Sequence, residues 1–131
     1  MRITADTNLL VRAAVCDDAA QAERAQRILA GAELVAVSTA SLCEFTWVLR
    51  SVYNLNTADI SVAIHALLAT DKIITNRPAV EAGLAVLEAG GDFADGIISQ
   101  EGRWLGGDVF VSFDKKAVAI LKQQGTQALL A

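Results

Sequence analysis

The chain has 131 residues, a mass of 13.8 kDa, 53% hydrophobic residues, a mean hydropathy of +0.40 and a formal net charge of −4. A chain of this size suits one domain burying roughly two-thirds of its unfolded surface, with no need of disulfide staples. The acidic balance argues against holding nucleic acid mainly by a broad basic face, and charges break every apolar run well short of the ~20 residues that span a bilayer.

One Arg and then an Asp open the chain, unlike a signal peptide, so a soluble intracellular protein is expected. High hydrophobicity in so small a domain also suggests an apolar face covered by a partner, although alanine supplies much of it. Cys16 and Cys43 have neither CxxC spacing nor a His nearby in sequence, and are expected to be buried free thiols. The only histidine, His65, lies among Ile64, Leu67 and Leu68 with no motif around it. Serine- and cysteine-type hydrolases, which need a histidine base, are thereby disfavoured. An enzyme that binds phosphate through metal ions remains open.

Taken in order, Arg2-Ile3-Thr4-Ala5 is a short β-compatible run, Asp6-Thr7-Asn8 a polar turn, and Leu9 to Val15 a helix. Functional groups of open parallel sheets gather beyond the carboxyl ends of the strands, so Asp6 is a candidate site acid as well as a helix cap. Asp18 with Gln21 three residues on starts a second helix, which runs to about Leu29 and is stopped by Gly31. Leu34-Val35-Ala36-Val37 is a continuous apolar run, as in a parallel strand buried on both faces. Ser38-Thr39 caps the next helix, with Leu42, Phe45, Leu49 and Val52 on one side. Glu44 is expected in its first turn, where it serves equally as a capping residue or as a second site acid.

After a polar break over Asn54 to Thr57, Ile60, Ala63, Ile64, Leu67 and Leu68 form a helical core stripe. Ile73-Ile74 is a short strand, and Pro78 suits the first turn of a helix spanning Ala79 to Ala89 that ends at Gly90-Gly91. Asp92 caps a helix continuing towards Trp104, with Asp95 on the same side of its first turn. Val109-Phe110-Val111 with Phe113 is the most strand-like stretch. It ends at Ser112-Phe113-Asp114, before a helix from Lys115 through Leu121 and a last short run over Thr126 to Leu130. No repeat or linker interrupts the chain, so a single domain over residues 1–131 is expected.

Strands alternating with helices imply an α/β protein, three-layer α/β/α, with a mostly parallel sheet of four to five strands. All strand carboxyl ends then share one edge, where Asp6, Glu44, Asp95 and Asp114 would make a concentrated negative pocket. Like charges a few Å apart raise each other's pKa, and a divalent cation is the natural compensation. An oxygen-only ligand set suits Mg2+ or Mn2+ rather than zinc.

Asp6-Thr7-Asn8, the helix-borne Glu44, Gly91-Asp92-Phe93-Ala94-Asp95 and Ser112-Phe113-Asp114 together resemble a PIN domain, most closely the VapC-type toxins of bacterial toxin–antitoxin pairs. The resemblance covers essentially the whole chain, and its specificity lies in the combination of motifs. It implies a metal-dependent endoribonuclease of the cytoplasm that tends to form a homodimer and is inhibited by a small cognate antitoxin. Asp6, Glu44, Asp95 and Asp114 match the family's acidic quartet, the catalytic and metal-holding residues, while Asn8 and Asp92 match positions that often support it. Thr7 and Ser112 could orient water or ligands, or make only local backbone hydrogen bonds. For the RNA backbone, Arg12, Arg50, Arg103, Lys115 and Lys116 are scattered candidates. An antitoxin helix is expected near Trp47 or in the groove flanked by the Leu9–Val15 and Leu42–Tyr53 helices, with an Arg or Lys reaching the acids.

Rival classes fit less well. A haloacid-dehalogenase-like phosphoaspartyl enzyme would want a second Asp at the position of Asn8, and a response-regulator receiver would want an Asp where the second strand ends in Ser38-Thr39. The main alternative is a PIN-like module that binds protein or regulates transcription with little nuclease turnover.

Overall fold

Five short strands and seven helices follow one another in the computed structural model, which describes residues 1–131. In order they are β1 (Arg2–Thr4), α1 (Thr7–Val15), α2 (Ala19–Gly31), β2 (Leu34–Ala36), α3 (Thr39–Ser51), α4 (Thr57–Leu68), β3 (Ile73–Ile74), α5 (Arg77–Glu88), α6 (Phe93–Trp104), β4 (Phe110–Ser112), α7 (Lys115–Gln123) and β5 (Ala128–Leu130). Every strand pairing is parallel, in a three-stranded sheet ordered β1-β2-β3 and a two-stranded sheet β4-β5. The chain divides into two compact units, Met1–Thr75 and Asn76–Ala131.

In the first unit, Ile3 pairs with Val35 and Val35 with Ile73. The ladder runs one residue past the strands through Ala5 N–H to the Ala36 carbonyl at 3.0 Å and Val37 N–H to the Ile74 carbonyl at 2.9 Å. Side chains then turn the chain into helices. Asp6 Oδ1 accepts from Leu9 N–H at 2.9 Å, Ser38 Oγ from Ser41 N–H at 3.1 Å, and Asn56 Oδ1 from Asp59 N–H at 2.8 Å, each satisfying a donor that has no partner within its helix. Leu10, Val35, Phe45, Leu49, Ile60 and Ile64 are buried and form the core of this unit.

Four sequence expectations are corrected here. α1 starts at Thr7 rather than Leu9, because Asp6 is already the cap. Gly31 is the last helical residue of α2, and the helix ends at Ala32 in extended backbone. Val52, expected on the buried side of α3, is the C-cap and is 59% exposed, since the helical stripe has run out by then. Cys16 is an exposed thiol, because it ends α1 at φ 59 in the turn to α2, and Cys43 is half-buried.

In the second unit, Asn76 and Pro78 begin α5, and Gly90 ends it at φ +94, a conformation that costs glycine little. α5 and α6 pack so closely that a Cβ on Gly96 would sit on the Ala82 carbonyl, and one on Gly83 would meet the Phe93 ring at 2.8 Å. α7 joins β4 to β5, whose register pairs Phe110 with Ala128 and Ser112 with Leu130. Phe110 and Ala128 pack on a small core of Val86, Ile120 and Leu121. The last short run thus becomes a strand. No helix is long and apolar enough to cross a membrane.

Candidate functional site

Parallel pairing puts the carboxyl ends of β1, β2 and β3 on one edge of the first unit, and Asp6, Ser38 and Thr75 follow those ends. Thr7 Oγ donates to the Ser41 carbonyl at 3.5 Å, which joins the start of α1 to the start of α3. Glu44 lies one turn beyond Ser41 and is exposed. Its expected place in the first turn is corrected: with Ser38 as the cap and Thr39 the first helical residue, Glu44 falls in the second turn. It is therefore no part of a capping box. The Thr75 hydroxyl is buried without a hydrogen-bond partner. Sequence reading passed over Thr75; its only signal is its place directly after the Ile73-Ile74 strand.

In the second unit, Asp92 Oδ1 caps α6 by accepting from Ala94 N–H at 3.1 Å, and Asp95 follows in the first turn, half-buried. Asp114 Oδ1 caps α7 by accepting from Ala117 N–H at 3.0 Å, and the Ser112 hydroxyl accepts from Asp114 N–H at 3.0 Å. Burial, then the charges of Asp92 and Asp114, hold the Asp95 carboxyl above the ordinary aspartate value. The structure thus brings Asp95 within the field of both Asp92 and Asp114.

None of Asp6, Glu44, Asp92, Asp95 and Asp114 makes an ion pair. Each of the three capping aspartates uses Oδ1 for the backbone, leaving Oδ2 free of a protein donor. These hard, uncompensated oxygens fit a cation such as Mg2+ or Mn2+ better than a soft metal. In neither unit do three or more His, Cys, Asp or Glu side chains converge to metal-holding geometry. Asp6 and Glu44 belong to one unit, Asp92, Asp95 and Asp114 to the other.

The basic candidates differ in how free they are. Arg12 is engaged by Asp17 at 3.3 Å and by the Tyr53 hydroxyl at 3.4 Å, Arg50 by Thr57 at 3.1 Å and Arg103 by Gln100 at 2.7 Å. Lys115 and Lys116 are exposed at the start of α7.

Parallel strands feeding helices, with carboxylates at the helix starts, make this an α/β protein. The PIN domain family model matches residues 3–121, and the chain belongs to that family. PIN domains are generally metal-dependent nucleases. No curated protein matches the chain.

Proposed function

We propose that the chain is a metal-dependent endoribonuclease of the VapC toxin type, acting in the cytoplasm as a single PIN-like domain over residues 1–131. Asp6, Glu44, Asp95 and Asp114 would hold Mg2+ or Mn2+, with Thr7, Asn8, Asp92 and Ser112 in support. The observation that carries this reading is Asp95, a half-buried acid repelled by Asp92 and Asp114 and paired with no cation. Such an arrangement is costly unless a cation offsets it.

When bound, a divalent ion supplies polarisation of a phosphodiester and a water of lowered pKa at neutral pH. The chain's own groups do the rest. Capping bonds fix the Asp6 and Asp114 carboxylates, so little side-chain entropy is lost on binding a cation. The Ser112 hydroxyl fixes the backbone that delivers Asp114.

The partner reading rests on an apolar groove of about 450 Å³ in the first unit, lined by Leu10, Val15, Phe45, Leu49, Val62 and Leu67 among others. An amphipathic antitoxin helix would lay its apolar face there, and an Arg from it would pair with the acids. A homodimer would cover some of the exposed apolar surface, in which Trp104 and Phe113 are 83% and 85% exposed.

Cleavage of labelled single-stranded RNA by the purified chain tests the proposal. Cleavage should need Mg2+ or Mn2+, stop on chelation and be lost in Asp6→Asn. Cleavage unchanged by chelation would sink it. An antitoxin complex formed by a chain that cleaves nothing would favour the regulatory module instead.

A further inference from the structure

α1 and α2 enclose an open groove of about 420 Å³ in the first unit, lined by Asp6, Asn8, Arg12, Gln21, Arg24 and Ile28 among others. Gln21, Arg24 and Ile28 are spaced at i, i+3 and i+7, so one face of α2 forms a wall of the groove opposite the start of α1. Arg27, on the neighbouring face, is held by Glu23 at 2.7 Å. Arg24 has no ion pair or hydrogen bond, and it is exposed. In a chain of net charge −4, this places an uncompensated guanidinium in the same concavity as Asp6.

We infer that this groove is a subsite for the RNA backbone, in which Arg24 binds a phosphate neighbouring the scissile bond. The inference rests on the ribonuclease reading and adds to it where the strand runs. A planar guanidinium binds two phosphate oxygens in parallel hydrogen bonds, which suits a non-bridging pair of a phosphodiester. Gln21 and Asn8 carry side-chain amides that can donate to phosphate or ribose oxygens. Ile28 gives an apolar patch against which a sugar or base face can rest. Arg12 adds positive charge that Asp17 already offsets in part, so Arg24 carries most of the attraction.

The test is the affinity of a short fluorescein-labelled oligouridine for the whole chain in chelator, read by anisotropy over a range of salt, beside cleavage of the same RNA with Mn2+. Arg24→Ala should weaken binding roughly 5- to 10-fold and flatten the salt dependence by about 0.7 of a logarithmic slope, one phosphate contact on a single strand. With Mn2+ it should raise KM and leave kcat unchanged. Arg24→Lys, which keeps the charge but loses the planar fork, should keep the parent salt slope and recover only part of the affinity, and Arg27→Ala, the same loss of charge on the neighbouring face, should stay within about twofold of the parent. Equal losses in Arg24→Ala and Arg27→Ala would overturn the subsite, as would an intact affinity in Arg24→Ala or a parent that binds no RNA. A parent that binds RNA but never cleaves it would defeat the ribonuclease reading while leaving the subsite to the binding ratio.

Discussion

Gly96 of α6 lies directly against the Ala82 carbonyl of α5, with no room for a methyl group between the two backbones. That contact fixes the helix whose first turn carries Asp95. Gly96→Ala must push the helices apart or bend them, at a cost on the order of 3 kcal/mol. Gly102, in the last turn of the same helix, has open space where a Cβ would sit. Gly102→Ala should be neutral or stabilising by about 0.5–1 kcal/mol. Urea unfolding of the two variants checks the contrast, and equal effects would show that the close contact does not set the packing.

Asp95 makes stability depend on pH with a defined sign. Its folded pKa lies above the ordinary aspartate value, so between the two values the folded state holds more protons than the unfolded chain. Stability contributed by this group is therefore present at the acid side and lost as pH rises through the raised value. Without metal, Asp95→Asn should melt higher than the parent at neutral pH, and the difference should shrink as pH falls towards 3.8. Thermal melts in chelator across that range measure it. A variant that melts lower than the parent at neutral pH would mean that the carboxylate is already compensated within the protein.

Asp6 has two separable roles. Its Oδ1 caps α1, and asparagine caps as well as aspartate. Asp6→Asn should keep the parent stability while losing the acid, whereas Asp6→Ala should lose about 1 kcal/mol as well. Paired melting curves and cleavage assays separate capping from chemistry. A large destabilisation by Asn would show that the negative charge itself supports the fold.

Docking in the apolar groove is addressed by Val62, which lines it and lies in α4, away from the acids in sequence. Val62→Glu should abolish capture of a co-expressed antitoxin while leaving RNA cleavage intact. Retained capture would move the partner to another face, such as that around Trp47, which is 65% exposed.

Much of this arrangement is legible in the sequence because short polar residues between apolar runs have few alternative uses. Asp6, Asp18, Ser38, Asn56, Asn76, Asp92 and Asp114 all cap helices through side-chain oxygens, so the helix starts could be located from residue type. The Ile73-Ile74 strand, only two residues long, was marked by the Pro78 helix start that follows. Burial was harder to read, because it depends on which neighbour covers a stripe. Val52 and Cys16 came out exposed where their helices end. β5 was hidden because Ala128-Leu129-Leu130 favours strand only through its pairing with β4. The free state of Arg24 and the orphan hydroxyl of Thr75 are properties of the surroundings, and no sequence spacing encodes them.

Binding of Mn2+ to the whole chain, followed by the loss of the free-ion electron paramagnetic resonance signal, tests most directly the claim that the carboxylates compensate a divalent cation. The parent should take up Mn2+, Mg2+ should compete for it, and Asp95→Asn should weaken uptake at least roughly tenfold, a loss of a charged oxygen ligand worth about 1.4 kcal/mol or more. Uptake in Asp95→Asn equal to that of the parent, or none in the parent, would contradict the account.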